Sequence, residues 1–269
     1  MELSKHDFEA LTGKIKDYSG IVLSTDKEYL LESRLMPVVK KYSLGDLSGL
    51  VGYMQENQDE SLLVEVIECM TTNESFFFRD FKPFDTLRDT LLPQIIQQFP
   101  DKEKIRIWSA ASSTGQEAYS IAMTILESPA FAKKTFEIVG TDIDLNVIEK
   151  ARDGVYSQFE VQRGMPINLL MKYFKQEGDQ WRIKDEIKEM ITFNTFNLLH
   201  SAGGLGIFDV VFCRNVLIYF DDHTKSEVLE NISKTMEPHS KLITGSAESL
   251  IGIESPFKPV AGLSSVFGL

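Results

Sequence analysis

The stretch that decides the fold is IRIWSAASSTGQEAYSIAM, residues 105–123. Its opening, residues 105–110, is a short apolar run rich in β-branched residues, which predicts a buried strand, and a helix is expected over 117–127. Small residues and one glycine lie between them, so the backbone can approach a ligand closely at a helix N-terminus. The stretch lacks a GxGxxG pattern and a P-loop lysine, which disfavours a phosphate cradle. Taken alone, it is more typical of an ordinary capped turn between a strand and a helix.

Strands and helices alternate from this stretch onward. Further strands are predicted at 136–141, 191–196, 208–214 and 241–245, with helices at 145–151 and 224–236. Apolar strands separated by helices are typical of an α/β protein with a largely parallel sheet covered on both faces. Residues 157–190 interrupt the alternation with one helix and a hairpin that turns at Gly178-Asp179. We interpret them as an insertion beside the sheet.

The N-terminal part of the chain has a different pattern. Apolar residues recur there at helical spacing, as in Phe8, Leu11 and Ile15, and glycines separate the predicted helices. We therefore predict two domains. Residues 1–75 would form a helical domain and the start of a linker, and residues 76–269 would form the α/β domain, with its insertion at about 157–190.

The composition excludes several classes of partner. The 269 residues include 28 Lys+Arg and 40 Asp+Glu, a formal net charge of −12. Duplex DNA and anionic membranes both need a basic face, so we expect no nucleic-acid partner and no direct membrane insertion. With two cysteines and neither a signal peptide nor a long apolar run, we expect a cytoplasmic protein. No metal is expected, because the histidines share no metal spacing and are interpreted as surface residues: His6, His200, His223 and His239.

Polar side chains follow four of the predicted strands, where an open α/β sheet binds its ligand. Asp142 follows the second strand and can accept both hydroxyls of an adenosine ribose, whereas Asp144 directly precedes a helix and is assigned to its N-cap. Asn197 and Leu198 follow the third strand and could bracket a purine. The fourth strand runs into CRNVLIYF, residues 213–220, which brings together a charged, a carboxamide and a phenolic residue. These positions predict a nucleoside cofactor site.

Two cofactors suit such a site, a nicotinamide dinucleotide and S-adenosylmethionine. The dinucleotide needs a loop that binds its pyrophosphate, and the glycine fingerprint that would form this loop is absent. S-adenosylmethionine has no phosphates, and its cationic sulfonium suits an acidic protein. The residues therefore favour S-adenosylmethionine.

Four long motifs carry a resemblance to a known family. They read TTNESFFFR at 71–79, RIWSAASSTGQEAYSIAM at 106–123, TDID with EKAR and GVY within 141–156, and FDVVFCRNVLIYFD at 208–221. In this order they resemble the signature of the CheR family, the chemotaxis-receptor glutamate O-methyltransferases, over essentially the whole chain. The resemblance implies a Rossmann-like methyltransferase domain with a small inserted β subdomain, preceded by a small all-helical domain.

The resemblance also implies the activity and its residues. The reaction would transfer a methyl group from S-adenosylmethionine to glutamate side chains of chemotaxis receptors, leaving S-adenosylhomocysteine and glutamate methyl esters that tune receptor signalling. Arg79 and Tyr219 match the family's catalytic positions. The family's cofactor positions are matched by Asn73, Ser75, Arg79, Glu117, Asp142, Asn197, Leu198, Arg214 and Asn215.

The partner implied by the resemblance is the helical cytoplasmic domain of a methyl-accepting chemotaxis receptor. Arg34, Lys40 and Lys41 lie in a locally basic stretch of the helical domain, and we predict that they dock this acidic substrate. We expect the enzyme to be a monomer. One departure from the family is GSAE at 245–248, where the family typically has GHSE.

Two alternatives stay open at this point. The chain could be an S-adenosylmethionine-dependent methyltransferase of another protein, or a non-catalytic signalling adaptor with the same fold. An adaptor would be expected to have lost Arg79, Asp142 or Tyr219, and all three are present. A nucleic-acid methyltransferase would more naturally show an NPPY-like segment after the fourth strand, where this chain has CRNVLIY.

Overall fold

The computed structural model describes residues 3–269. The chain divides into two compact units. One unit contains the residues up to Thr72 together with Tyr219–Thr224, and the other contains Asn73–Ile218 and Lys225–Leu269. The chain passes from the first unit to the second between Thr72 and Asn73, inside the TTNESFFFR motif.

The first unit is helical. Its helix α1 begins after Ser4, whose side chain accepts a hydrogen bond from the Asp7 backbone N–H, and it ends at Gly20 in the left-handed conformation. Each helix places a stripe of apolar residues in the core of this unit, as the helical spacing predicts. The helices are α1 (Lys5–Ser19), α2 (Glu28–Lys41), α3 (Leu47–Glu56) and α4 (Glu60–Met70).

A short segment from far along the sequence completes the helical unit. The Val22 backbone N–H donates to the Tyr219 carbonyl oxygen at 2.9 Å, and Lys16 forms an ion pair with Asp221 at 2.6 Å. Gly20, with φ of +79°, lies directly against Phe220, because a Cβ added to the glycine would be only 3.1 Å from that ring. The segment that carries Tyr219 is therefore held by the C-terminal part of α1 and the residues that follow it.

The second unit is built on a mixed sheet. The strands are β1 (Lys104–Ala110), β2 (Thr135–Asp142), β3 (Val155–Ser157), β4 (Phe174–Glu177), β5 (Gln180–Ile183), β6 (Ile191–Thr195), β7 (Phe208–Cys213), β8 (Met236–Thr244), β9 (Lys258–Pro259) and β10 (Val266–Gly268). The larger sheet has the order β6-β2-β1-β7-β8-β10-β9. Its first five strands are parallel, which confirms the predicted architecture, and β10 pairs antiparallel with both β8 and β9.

Helices flank the strands and connect them. They are α5 (Lys82–Thr86), α6 (Leu92–Gln98), α7 (Gln116–Leu126), α8 (Leu145–Asp153), α9 (Gln158–Gln162), α10 (Ile167–Tyr173), α11 (Asp185–Lys188) and α12 (Asp222–Ser233), whose first residues belong to the helical unit. A π-helical turn, Leu87–Leu91, joins α5 to α6.

The inserted part forms a small antiparallel sheet in the order β3-β5-β4. The predicted hairpin is confirmed: β4 and β5 pair across a turn in which Gly178 has φ of +66°. Trp181 on β5 is 8% exposed and donates through its indole N–H to Gln158, so it packs within the insertion.

The strand register brings the carboxyl ends of the parallel strands to one edge of the sheet. Ala110 lies opposite both Thr141 and Cys213, and Cys213 lies opposite Thr244. The chain order reverses at β1, because β2 and β6 follow on one side and β7 and β8 on the other. Ligands of open α/β sheets bind where the order reverses, so this edge is the place to look for a site.

The expectation that His239 is a surface histidine is wrong. Its side chain is 8% exposed, and Nε2 lies 2.8 Å from a carboxylate oxygen of Asp209. The buried Asp209 carboxylate also accepts from the Arg106 backbone N–H at 2.9 Å and pairs with Lys102. The sequence analysis predicts that the strand begins at residue 241, which would leave His239 in a loop. In the structure, β8 begins at Met236, so His239 lies inside the strand.

The connector, residues 73–81, is fixed to the insertion by an aromatic side chain. Phe77 is fully buried, and its ring centroid lies 5.0 Å from that of Tyr156 and 5.6 Å from that of Phe174, with edge-to-face geometry in both pairs.

Phe77→Ala should therefore destabilise the protein strongly. We expect the free energy of unfolding to fall by about 3–5 kcal/mol, because the change leaves a cavity beside the rings of Tyr156 and Phe174. Urea unfolding followed by circular dichroism measures the change. Phe159, which is 73% exposed, supplies the matched control, and Phe159→Ala should change stability by less than about 0.5 kcal/mol. Equal effects of the two changes would contradict the packing described here.

Candidate active site

The loop after β1 is unusually constrained. Ala111 and Ser113 have φ values of 58° and 49°, and Gly115 has a φ of 92°. Residues other than glycine rarely adopt this left-handed region of positive φ. The surrounding structure must therefore hold the loop in place. One contact that does so is the hydrogen bond from the Ser112 backbone N–H to the Thr141 carbonyl at 2.8 Å, which ties the loop to the end of β2.

Asp142 at the end of β2 faces this loop. It is 7% exposed, and its carboxylate accepts from the backbone N–H groups of Ser113 at 2.8 Å and Asp144 at 3.2 Å. Burial raises the pKa of Asp142 to about 6, although these hydrogen bonds favour the ionised form. A carboxylate thus lies buried where the sequence predicts the ribose contact.

Asp144 has the N-cap role that the sequence predicts. Its side chain accepts from the backbone N–H groups of Asn146 and Val147 at the start of α8. Its second carboxylate oxygen accepts from the side-chain amide of Asn73 at 2.7 Å, and the Asn73 carbonyl accepts from the Ser113 hydroxyl at 3.0 Å. The start of the connector is therefore tied to the loops after β1 and β2.

Arg214 at the end of β7 links three parts of the site. Its guanidinium is 1% exposed and forms ion pairs with Glu117 at 2.8 Å and Asp80 at 2.7 Å. It also donates to the Arg79 carbonyl at 2.9 Å. Glu117, in the first turn of α7, accepts in addition from the Ser109 hydroxyl at 2.7 Å. A buried guanidinium needs partners of this kind, because an unpaired buried charge costs several kcal/mol, on the order of 3–5.

The connector itself is strained. Phe78, Asp80 and Phe81 have φ values of 51°, 70° and 45°. The Phe78 backbone N–H donates to the buried Ser120 hydroxyl at 2.9 Å, and the bonds from Arg214 hold the next two residues. The Arg79 side chain is only partly buried, and its Nη1 donates to the Glu74 carbonyl at 3.0 Å. Strain of this kind persists where surrounding contacts over-determine the backbone, and it is common at functional sites.

A residue that the sequence analysis did not select, Glu248, organises the fourth strand end. Its carboxylate is 6% exposed and accepts from the backbone N–H groups of Asn215 at 2.7 Å, Gly245 at 2.7 Å and Val216 at 2.9 Å. Asn215 itself has a φ of 60°. Glu248 is the acidic residue that GSAE shares with the family's GHSE. The signal that points to it is the same as at the other four strand ends, a polar side chain shortly after a predicted parallel strand.

The other predicted cofactor positions lie in the same unit. Asn197 and Leu198 follow β6 and are 8% and 9% exposed, and the Asn197 side-chain oxygen accepts from the Leu199 backbone N–H at 3.0 Å. Ser75 is partly buried in the connector. The nine positions thus occupy the connector, the first turn of α7 and the carboxyl ends of β2, β6 and β7.

Comparison with known proteins decides the family. Residues 73–265 match the CheR methyltransferase, SAM binding domain, and residues 6–71 match the CheR methyltransferase, all-alpha domain. The chain belongs to the CheR methyltransferase family. It is 39% identical to a chemotaxis protein methyltransferase of Vibrio parahaemolyticus serotype O3:K6 over 263 residues, which cover 96% of this chain and 94% of that protein. It is 36% identical to the chemotaxis protein methyltransferase Cher2 of Pseudomonas putida over 265 residues, 97% of this chain and 96% of that protein.

These matches confirm the predicted family, fold class and cofactor. The chain is an S-adenosylmethionine-dependent methyltransferase of chemotaxis. In the part of the chain from residue 3 to 269, no group of three or more His, Cys, Asp or Glu side chains is arranged to hold a metal ion. No helix within these residues combines the length and apolar character needed to cross a bilayer.

The side chains of the site fit S-adenosylmethionine. Two buried side-chain atoms, Ser112 Oγ and Arg214 Nε, have no hydrogen-bond partner among residues 3–269. Such atoms are typical of places where a bound group supplies the partner. The Arg214 Nε–H suits an anion such as the carboxylate of the methionine moiety, and the Asp142 carboxylate suits ribose hydroxyls.

The remaining predicted residues belong to the helical unit. Arg34 donates to the Met70 and Thr71 carbonyls at 3.0 and 2.8 Å, so its guanidinium caps the end of α4. Lys41 forms an exposed ion pair with Glu65 at 2.8 Å, and the Lys40 side chain is exposed.

Glu248→Gln tests how the loop after β7 is held. A glutamine keeps one acceptor oxygen and turns the other into a donor that faces backbone N–H groups. We expect the free energy of unfolding to fall by about 1–3 kcal/mol, because at least one buried N–H loses its acceptor. We also expect weaker binding of S-adenosylmethionine, measured by titration calorimetry. The exposed Glu254 provides the control, since Glu254→Gln should leave both quantities unchanged. Wild-type behaviour of Glu248→Gln would show that the carboxylate does not organise this loop.

Proposed function

We propose that this methyltransferase transfers methyl groups from S-adenosylmethionine to glutamate side chains of chemotaxis receptors, forming methyl esters. One observation carries the proposal. The partly buried Arg79 guanidinium stands on a backbone that the buried Arg214 holds in place, so a group suited to a carboxylate is fixed beside the predicted cofactor positions. The relatives in Vibrio and Pseudomonas are named chemotaxis protein methyltransferases, which supports the same function.

The proposed reaction needs little acid–base catalysis from the protein. A glutamate carboxylate is ionised at pH 7, because its ordinary pKa is about 4.3, so the nucleophile needs no strong general base. The cofactor, when bound, supplies a methyl group that its sulfonium activates. The protein residues would position the acceptor carboxylate in line with that methyl group and exclude water from the site.

We assign the cofactor contacts to residues of the second unit. Asp142 would accept the ribose hydroxyls, Arg214 would bind the methionine carboxylate through Nε, and Asn197 with Leu198 would enclose the purine. Glu117 would hold Arg214 in place through their ion pair. The full proposed set is Asn73, Ser75, Arg79, Glu117, Asp142, Asn197, Leu198, Arg214 and Asn215.

Arg79 and Tyr219 are the proposed catalytic residues. The planar guanidinium of Arg79 offers two parallel donors to a carboxylate, which lysine cannot reproduce. Its partial exposure weakens the ion pair, so the carboxylate stays reactive. Tyr219 would donate a hydrogen bond or form a wall beside the methyl group, on a segment held by the bond from Val22.

Docking is assigned to the helical domain, which with the start of the linker spans residues 1–75, and catalysis to residues 76–269, with Asn73 and Ser75 of the linker completing the cofactor set. Lys40 and Lys41 are exposed and can meet an acidic receptor helix, whereas the Arg34 guanidinium already donates to the end of α4. The two lysines therefore carry more of the proposed docking than Arg34. We propose further that the enzyme acts as a monomer in the cytoplasm on the helical cytoplasmic domain of the receptor.

The direct test incubates the protein with methyl-labelled S-adenosylmethionine and receptor cytoplasmic fragments. We expect label that base releases as methanol, because a carboxyl methyl ester hydrolyses in base. Arg79→Lys should lower kcat/KM for the receptor by about 10- to 100-fold, since the acceptor is no longer oriented. Arg88→Lys, at another partly buried arginine, should have no effect. Base-stable label, or full activity of Arg79→Lys, would contradict the proposal.

The pH dependence tests Asp142. Because its pKa in the folded protein is raised to about 6, the folded protein binds a proton as pH falls through 6, before the unfolded chain does. The contribution of Asp142 to the free energy of unfolding therefore increases as pH falls from above 6 towards 4. Binding of S-adenosylmethionine should weaken over the same range, by up to about tenfold per pH unit, as the ionised acceptor is lost.

Calorimetric titrations at several pH values measure this dependence. Asp142→Asn should bind the cofactor weakly and lose the dependence on pH, whereas Asp101→Asn, at an exposed position, should retain it. An affinity of the wild-type protein that stays constant across pH 6 would refute the assigned contact.

A further inference from the structure

The ring of Phe76 contacts two arginines. The Arg163 guanidinium carbon lies 4.4 Å from the ring centroid and the Arg79 guanidinium carbon lies 5.4 Å from it. Arg163 stands between α9 and α10 in the insertion, far along the sequence from the connector. Both side chains therefore lie within cation–π distance of one ring.

The backbone beside Arg163 is fixed against the connector. Gly164 has φ of +85°, and a Cβ added there would lie 2.0 Å from the Phe77 carbonyl oxygen and 3.2 Å from the Phe76 ring. The two backbones are thus too close for any residue but glycine. This close approach fixes the backbone beside Arg163 against the connector that carries Arg79.

Glu74 is the acidic side chain of this cluster. Its carboxylate lies 2.5 Å from Arg163 Nη2, and its carbonyl accepts from Arg79. The hydrogen bond and the charge of Arg163 lower the pKa of Glu74, so it is ionised at neutral pH. Two guanidiniums and one carboxylate leave a net positive charge here, on a chain whose total is −12.

We propose that Arg163 binds a second carboxylate of the acceptor protein, beside the glutamate that Arg79 orients, and that Glu74 occupies Arg163 until the acceptor arrives. The inference rests on the proposed function, because it requires a protein glutamate as the methyl acceptor. Arg163 would thus favour acceptor segments that present two acidic side chains together.

The exchange of carboxylates at Arg163 is energetically easy. The Arg163 and Glu74 side chains are 43% and 57% exposed, and an exposed ion pair contributes only about 0.2–1 kcal/mol. An incoming carboxylate can therefore replace Glu74 at little cost. On a helix, acidic residues three or four positions apart lie on one face with Cβ atoms about 5–6 Å apart, so one helix can present two carboxylates together.

Two substitutions of opposite expected sign test the proposal in methylation assays with receptor cytoplasmic fragments. Arg163→Ala should raise KM for the receptor about two- to fivefold, the change expected of a partly exposed ion pair, with kcat and cofactor affinity unchanged. Glu74→Gln should lower KM by a similar factor, because the internal competitor is gone. Arg163→Lys should restore part of the affinity, since lysine keeps the charge but not the planar fork.

Arg182 supplies the matched control. It lies in the same insertion, is 45% exposed and pairs with Glu177 at 2.9 Å. Arg182→Ala should leave KM for the receptor unchanged. An equal rise in KM with this variant would mean that general surface charge, and not Arg163 in particular, attracts the acceptor, and would overturn the proposal.

Other outcomes are equally decisive. If Arg163→Ala and Glu74→Gln both raise KM, their ion pair is only a structural link between insertion and connector. If neither changes KM, Arg163 does not meet the acceptor. In both cases the base-labile methyl ester made by the wild-type protein still stands, so the proposed function survives. Absence of that ester in the wild-type reaction would overturn the proposed function and this inference together.

Discussion

The active-site region depends on the ion pairs and hydrogen bonds of the buried Arg214 guanidinium. This guanidinium joins the end of β7 to the first turn of α7 through Glu117, and to the connector through Asp80 and the Arg79 carbonyl. A guanidinium removed from water must be paired or it destabilises the fold. Because these partners come from separate parts of the chain, satisfying one side chain fixes the strand end, the helix start and the strained connector together.

A buried carboxylate, that of Glu248, holds the residues that follow Arg214. The Glu248 carboxylate accepts hydrogen bonds from three backbone N–H groups in the loops after β7 and β8. It thereby stabilises a loop in which Asn215 has a left-handed backbone conformation. A buried cation at the end of β7 and a buried anion that binds the next two residues thus fix this part of the chain. Both groups are buried and hydrogen-bonded, which is the condition under which ionic side chains in an interior are tolerated.

The sequence predicted elements whose signals are local. The buried strands, the hairpin at Gly178 and the N-cap at Asp144 follow from apolar runs, turn residues and capping preferences, and the structure has all of them. It did not predict β9 and β10, because strands of two and three residues are too short to show an alternating pattern. The roles of Glu248 and the burial of His239 were missed for a different reason: their partners lie on other strands and loops.

The sequence by itself determined the family, the α/β architecture and the cofactor class, because each depends on motifs and periodicities that lie within short stretches of chain. The tertiary structure alone decided which side chains meet. Arg214 and Asp80 are 134 positions apart, Arg163 and Glu74 are 89 apart, and Asn215 and Glu248 are 33 apart. No local pattern encodes such pairs, since they form only when strand order and packing bring distant loops to one edge of the sheet.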